Sequence, residues 1–145
     1  MSTTVRRVLA EKGSQVFAVG PDDTVFTALE RMAEHNVGAL VVLADGALVG
    51  IISERDYARK MIALVRDTRE TRVRELMSAP VFTVDVDDTV ATCMGHITAK
   101  RFRHLPVLDQ GALVGVVSVG DMVKALLAEQ AFEIEQLQGY ISGSR

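Results

Sequence analysis

The sequence GALVGVVSVGD at positions 111–121 closely matches GALVGIISERD at positions 46–56. Each stretch combines a glycine suited to a turn, an apolar run and a Ser-x-x-Asp motif typical of a helix start. With an offset of 65 positions, residues 16–63 align with residues 81–128 without a gap, and 19 of these 48 pairs are identical. The chain therefore contains an internal duplication, and its two copies should share one fold.

Each copy has the same predicted order of elements, β-α-β-β-α, which is an α+β fold. In copy one, a short extended segment (15–19) leads to a helix over about residues 24–35, which Thr24 can cap. Two strands follow, 39–43 and 48–52, and their short connection is typical of a hairpin. Both strands are nearly all apolar, so they should be buried on both faces. The counterparts in copy two are 81–84, 89–99, 105–108 and 113–117.

The predicted domains follow the two copies. We expect domain one over residues 5–65, a linker over 66–72, and domain two over 73–139, including an extended C-terminal helix. The stretch 66–74 is rich in charge and lacks apolar periodicity, so it is interpreted as a surface linker. The last helix carries an apolar stripe from Val123 to Leu137 that needs a partner surface. That surface is either a second copy of the chain or the chain's own core.

Composition excludes several classes of protein. The chain has 145 residues, 48% of them hydrophobic and 24% charged, which argues against disorder. Its net charge of −3 makes general binding to nucleic acid or to an anionic membrane surface unexpected. The longest apolar run, residues 39–44, is far below the roughly 20 residues of a membrane helix, and no signal peptide is expected. Cys93 stands alone, so we expect no disulfide and a reducing, cytoplasmic setting.

The Ser-x-x-Asp motif has two interpretations. In the first it is a capping box, although such boxes favour Glu or Gln because Asp is one methylene shorter. In the second, the helix N-terminus and the hydroxyl of Ser53 or Ser118 bind a phosphate, while Asp56 or Asp121 accepts both hydroxyls of a ribose. Local physics does not decide between them.

Cationic residues lie beside both motifs. Arg55 directly precedes Asp56, and three basic residues lead into the second hairpin: Arg101, Arg103 and His104. They either form a solvated basic loop or supply charge to a phosphate site, for which arginine is well suited. The corresponding loop of copy one, residues 35–39, is nearly neutral. If both sites exist, they should therefore be unequal.

The sequence does not indicate an enzyme. The three histidines occupy unrelated positions, and no metal-ligand spacing, nucleophile elbow or phosphate-binding glycine motif occurs. We therefore expect neither catalytic residues nor a metal site. Cys93 lies on the apolar side of a predicted helix, where it is expected to be a buried spacer.

The duplicated motifs resemble a tandem pair of cystathionine-β-synthase (CBS) domains, the Bateman module. RHLPVLD at 103–109 followed by GVVSVGD at 115–121 looks like the family's core signature. VGALVV at 37–42 followed by GIISERD at 50–56 is the matching part of copy one. The resemblance covers nearly the whole chain, from about residue 5 to residue 137.

The resemblance implies a regulatory sensor of adenosine ligands, with two repeats packed about a pseudo-twofold axis and two clefts. The expected ligand is AMP foremost, then ATP, ADP or NAD(H), with S-adenosylmethionine also possible. The family's ribose-binding acid falls on Asp56 and Asp121, and its phosphate-side hydroxyl falls on Ser53 and Ser118. Its adenine contacts fall on two sets of positions: Val16, Phe17, Val37, Gly38 and Ala39 in copy one, and Ala79, Pro80, Phe82, Arg103, His104 and Leu105 in copy two.

The resemblance also implies partners, and the chain departs from the family pattern in places. Such modules commonly form homodimers, and the regulated target here is expected to be a separate, unknown protein. Copy one lacks the proline and basic residues of copy two, while copy two has Gly120 where copy one has Arg55. The competing hypothesis is a dimeric interaction scaffold whose clefts are vestigial and stay empty.

Overall fold

The structure is a computed structural model that describes residues 2–64, 66–100 and 102–143. This part of the chain contains six α-helices and six strands. In chain order they are α1 (Val5–Lys12), β1 (Ala18–Val19), α2 (Val25–His35), β2 (Ala39–Ala44), β3 (Ala47–Ser53), α3 (Glu54–Lys60), α4 (Val73–Leu76), β4 (Val84–Asp85), α5 (Val90–Lys100), β5 (His104–Asp109), β6 (Ala112–Ser118) and α6 (Val119–Gly143). A short 3-10 turn, Met61–Ala63, follows α3.

The strands form two three-stranded sheets with the same topology. In each sheet the short first strand is parallel to the second, and the second is antiparallel to the third in a hairpin. The registers also match, since Ala39 lies opposite Ser53 and His104 lies opposite Ser118. The predicted order β-α-β-β-α and the α+β class are thereby confirmed for both copies.

The helix between the first two strands is built alike in both repeats. The hydroxyl of Thr24 accepts a hydrogen bond from the amide of Thr27 at 3.1 Å, as predicted for a cap. Thr89 makes the same contact with the amide of Thr92. Both helices bury one face at equivalent positions: Val25, Ala28 and Met32 in α2, and Val90, Cys93 and Ile97 in α5.

The chain forms two compact units whose bounds cross the repeats. The first-repeat unit is Gln15–Phe82, and the second-repeat unit combines Met1–Ser14 with Thr83–Arg145. Helix α4 precedes repeat two in sequence but belongs to the first-repeat unit. Helix α1 precedes repeat one but belongs to the second-repeat unit.

These two helices are anchored in equivalent ways. Val5 and Val73 are both fully buried, and their amides donate to the carbonyls of Asp88 and Asp23, respectively. The next residues form equivalent ion pairs, Arg6 with Asp87 at 3.1 Å and Arg74 with Asp22. Each repeat is therefore completed by a helix that lies far from its strands in sequence.

The stretch predicted as a surface linker contains buried positions. Thr71 is fully buried, and its carbonyl accepts a hydrogen bond from the amide of Val25 at 2.8 Å. Val73, at the beginning of α4, is buried as well. The charged residues around them are exposed, so the composition of the stretch does not reveal the buried positions. Exposure is therefore not continuous through residues 66–74.

Helix α6 confirms the extended C-terminal helix. Its first turns pack on the unit, where Met122 is fully buried. Farther along, five large apolar side chains are 39–64% exposed: Val123, Leu127, Phe132, Ile134 and Leu137. Among the described helices, none has the length and apolar character to cross a membrane.

Candidate functional site

In the first-repeat unit, Ser53 and Asp56 close the beginning of α3. The Ser53 hydroxyl accepts from the Asp56 amide at 3.1 Å, and the Asp56 carboxylate accepts from both the Ser53 amide and hydroxyl at 3.0 Å. This is a complete capping box, so aspartate does reach back despite its shorter side chain. The contacts hold the carboxylate in a fixed orientation with its side chain 15% exposed.

The second-repeat unit repeats this geometry at the beginning of α6. The Ser118 hydroxyl accepts from the Asp121 amide at 3.1 Å, and the Asp121 carboxylate accepts from the Ser118 amide at 2.8 Å. The Asp121 side chain is 23% exposed. In both units a half-buried carboxylate is therefore held beside a serine hydroxyl and the positive end of a helix.

Each aspartate also has a lysine partner, but the two lysines come from different elements. In the second-repeat unit, Lys12 at the end of α1 lies 2.5 Å from the Asp121 carboxylate. In the first-repeat unit, Lys60 at the end of α3 lies 3.4 Å from the Asp56 carboxylate. The Asp56 carboxylate additionally accepts from the Ser78 hydroxyl at 3.1 Å. The two motifs thus differ in their charged surroundings.

The electrostatics of Asp121 follow from these contacts. Burial by itself would raise the pKa of the Asp121 carboxyl, because it disfavours the charged form. The hydrogen bonds from Lys12 and from the Ser118 amide oppose burial, and together they hold the pKa below its usual value. Asp121 is therefore ionised at neutral pH, and its Oδ2 accepts from both Lys12 and the Ser118 amide.

The residues that lead into β2 and β5, the central strands of the two sheets, lie next to the Ser-x-x-Asp motifs. The Glu54 amide, at the beginning of α3, donates to the carbonyl of Gly38 at 3.0 Å. In the other unit the Val119 amide donates to the carbonyl of Arg103 at 2.9 Å. With the strand registers given above, this brings Gly38 and Ala39 beside Ser53, and Arg103 and His104 beside Ser118. Each unit therefore gathers part of its predicted set of site residues.

A small cavity lies next to this point in the first-repeat unit. Its volume is about 240 Å³, which is below the range of about 300–1,000 Å³ typical of small-molecule sites. The cavity includes two of the predicted adenine-contact residues; its lining is Leu29, Met32, Ala33, Asn36, Val37, Gly38 and Glu54.

Other predicted residues are in varied surroundings. The ring of Phe17 stacks on that of His35, with centroids 3.9 Å apart, while Val16 is half-buried. Leu105 is fully buried in β5, so it supports the strand from within the core. Arg55 is half-buried on α3 beside Asp56. Arg101 lies outside the described residues.

Three predicted copy-two residues, Ala79, Pro80 and Phe82, belong to the first-repeat unit. They follow α4, which packs on repeat one and so carries the next residues with it. Ala79 comes directly after Ser78, the residue that donates to Asp56. Ala79 is therefore a sequence neighbour of a residue that contacts Asp56.

Sequence reasoning missed Lys12, Lys60 and Ser78. A signal for the position of Lys12 was present, because the repeat continues upstream with a different offset. VRRVL at 5–9 matches VRELM at 73–77 with an offset of 68 positions, which pairs α1 with α4. No comparable pattern marks Lys60, whose equivalent in copy two is Ala125.

The arrangement offers hydrogen-bonding groups and charge. Within residues 2–64, 66–100 and 102–143, no group of three or more His, Cys, Asp or Glu side chains is placed to hold a metal ion. The Cys93 thiol is fully buried, and burial raises its pKa to about 11, which makes it a poor nucleophile. A carboxylate, a hydroxyl and nearby cations together suit a polyhydroxylated, anionic ligand.

Comparisons with known proteins agree with the duplicated fold. The model of the CBS domain family matches residues 5–63 and again residues 73–128. The chain is 40% identical to the CBS domain-containing protein CBSX3, mitochondrial, of Arabidopsis thaliana, over 98% of this chain and 73% of that protein.

Solved structures are similar over most of the chain. The CBS domain protein NE2398 is 48% identical with a TM-score of 0.82, covering 86% of this chain and 98% of that one. A protein with CBS domains from Burkholderia ambifaria MC40-6, named for signal transduction, is 42% identical with a TM-score of 0.84, covering 88% and 96%. This chain, with its two matched repeats, belongs to the CBS domain family.

Proposed function

We propose that this tandem CBS protein is a regulatory module that binds an adenosine ligand and signals its occupancy to a separate protein. One observation carries the proposal: both units hold a half-buried aspartate beside a serine hydroxyl, next to the residues that lead into the central strand. Signal transduction, as named for the Burkholderia relative, is in keeping with this role. A ligand can shift the protein between two states only by binding one of them more tightly.

The roles follow from the chemistry of each group. The carboxylates of Asp56 and Asp121 accept hydrogen bonds from the ribose hydroxyls. The hydroxyls of Ser53 and Ser118, with the nearby cations, contact the phosphates. The backbone that leads into β2 and β5 contacts the adenine. AMP is the first candidate ligand, followed by ATP, ADP, NAD(H) and S-adenosylmethionine.

Calorimetric titration with these ligands tests the proposal. A sharper arm compares AMP with its 2′,3′-dideoxy analogue, which lacks the ribose hydroxyls. Loss of a hydrogen bond to a charged group weakens binding by about 10- to 100-fold. We expect the wild type to discriminate against the analogue by this amount, and the double variant Asp56→Asn/Asp121→Asn to lose the discrimination. Asn keeps the size and the capping acceptor while removing the charge.

The matched control is Asp45→Asn, the same chemical change at an exposed hairpin turn. It should bind like the wild type. If none of the adenosine ligands binds the wild type, or if the double variant still discriminates against the analogue, the proposed roles of the aspartates are wrong.

A second candidate function is a dimeric interaction scaffold. The apolar side chains of α6 favour it, because five large residues on this one helix are 39–64% exposed. Exposed apolar side chains that are grouped in this way are typical of protein interaction sites. We propose that the chain forms a homodimer, and Leu137→Glu tests whether α6 takes part. Light scattering should then show a smaller assembly at equal concentration. A scaffold without ligand function would form the dimer and bind no adenosine compound.

We also propose a cytoplasmic location. The support is the single cysteine, which suits a reducing compartment. Fractionation of cells that express the chain would test this, and recovery from an oxidising compartment would contradict it.

A further inference from the structure

Lys12 is hydrogen-bonded to the carboxylate of Asp121, the group to which the proposed function assigns ribose binding. Its Nζ lies 2.5 Å from Asp121 Oδ2 and donates to the carbonyl of Val116 at 3.0 Å. The Ser118 amide donates to the same carboxylate oxygen, Oδ2. A ribose hydroxyl that approaches this oxygen therefore competes with an ammonium group already bound to it.

The equivalent carboxylate in the first-repeat unit is not held in this way. Lys60 donates first to the carbonyl of Leu76, at 2.8 Å, and lies 3.4 Å from Asp56 Oδ1. Asp56 Oδ1 accepts instead from the Ser78 hydroxyl at 3.1 Å, a neutral donor. Lys60 is thus fixed mainly by α4, whereas Lys12 is fixed largely by the carboxylate itself.

Displacing Lys12 from Asp121 breaks a charge-assisted hydrogen bond and leaves an ammonium that needs a new partner. Lysine carries its charge on a flexible four-carbon stem, so the group can move without moving α1. The Lys12 side chain is 37% exposed, so water can hydrate the displaced ammonium, but the charge-assisted hydrogen bond to Asp121 is lost. A ligand phosphate would accept the ammonium more favourably.

We infer that Lys12 is a specificity-determining residue of the second-repeat site, which makes that site select phosphorylated nucleosides over uncharged ones. This inference rests on the proposed function. In the empty protein Lys12 neutralises Asp121, and on binding it transfers from the carboxylate to the ligand phosphate. An uncharged nucleoside must displace Lys12 without offering it an anion. The first-repeat site should discriminate less.

The test isolates the second-repeat site with Asp56→Asn and measures the affinities for AMP and adenosine by calorimetry. In this background Lys12→Gln should strengthen adenosine binding and weaken AMP binding, reducing the AMP-to-adenosine preference by about 1.5- to fivefold, the range of a partly exposed ion pair. Lys12→Arg keeps the charge and should retain most of the preference. A purely structural role of Lys12 would change both affinities in the same direction.

The matched control is Lys60→Gln in the Asp121→Asn background, which isolates the first-repeat site. The preference there should change less than with Lys12→Gln. An unchanged preference in the Lys12→Gln variant, with both ligands still bound, overturns this inference and leaves the proposed function standing. If the Asp56→Asn protein binds neither AMP nor adenosine, the proposed function fails at this site and the inference fails with it.

Discussion

Truncating Val5 should loosen the second-repeat unit selectively, although Val5 precedes repeat one in sequence. Val5 is fully buried at the beginning of α1, within the second-repeat unit. Val→Ala removes the equivalent of two methylenes, each worth about 0.8 kcal/mol when buried, and leaves a small cavity. We therefore expect a loss of about 2 kcal/mol in the free energy of unfolding of this unit.

The rate at which a thiol reagent labels Cys93 serves as the assay, because Cys93 is fully buried on α5 of the same unit. Burial raises its pKa to about 11, so a thiol reagent at pH 8 reacts only when the unit opens. When closing is fast, the labelling rate follows the opening equilibrium. A loss of about 2 kcal/mol should then accelerate labelling by about 30-fold in Val5→Ala.

Val73→Ala is the matched control, since Val73 is the equivalent buried residue of α4 in the first-repeat unit. It should destabilise its own unit by a similar amount and accelerate the labelling of Cys93 much less. Equal acceleration by the two variants would refute the reasoning that α1 stabilises the second-repeat unit in particular.

Two further predictions concern stability. Because the pKa of Asp121 is lowered in the folded state, its contribution to stability is present above the ordinary carboxyl pKa and is lost as the pH falls through the folded value. In urea unfolding between pH 6 and 3, the free energy of unfolding should therefore fall less steeply in Asp121→Asn than in the wild type. Equal slopes for the two proteins would contradict this. Gly50→Ala would place a Cβ 2.5 Å from the Met77 sulfur and 3.2 Å from the Ser78 carbonyl, so it should lower the free energy of unfolding by about 1–3 kcal/mol. Gly95→Ala, within α5, adds a Cβ that meets no heavy atom within 4 Å beyond its chain neighbours and its own helix backbone, so it should instead raise the free energy of unfolding by about 0.5–1 kcal/mol. A loss at Gly95 equal to that at Gly50 would rule out the close approach as the cause.

The elements and their caps could be predicted because their causes are local. The succession of apolar runs and turn residues predicts both hairpins. A threonine directly before an apolar helix predicts the caps at Thr24 and Thr89, which the structure contains. The capping role of Ser53 was also foreseeable, although the reach of Asp56 was underestimated. The Asp56 carboxylate accepts from the Ser53 amide at 3.0 Å even though aspartate is one methylene shorter than glutamate.

The partners of the candidate site could not be predicted in the same way. Lys12 and Asp121 are 109 positions apart, and only the packing of α1 brings them together. Ser78 reaches Asp56 because α4 packs on the first repeat. Such contacts depend on which helix completes which unit. Helices α1 and α4 are related by an offset of 68 positions, so an alignment of the repeats at an offset of 65 does not pair them.

The sequence by itself determined that the fold is duplicated, that each copy carries a Ser-x-x-Asp at a helix start, and that the copies differ in nearby charge. These are properties of neighbouring residues, which local backbone preferences and apolar periodicity control. Only the tertiary structure decided that α1 and α4 each complete the unit of the other repeat, and that Lys12 and Lys60 face the two aspartates from different elements. The physical reason is that Val5 and Val73 are buried against residues that lie far from them in sequence.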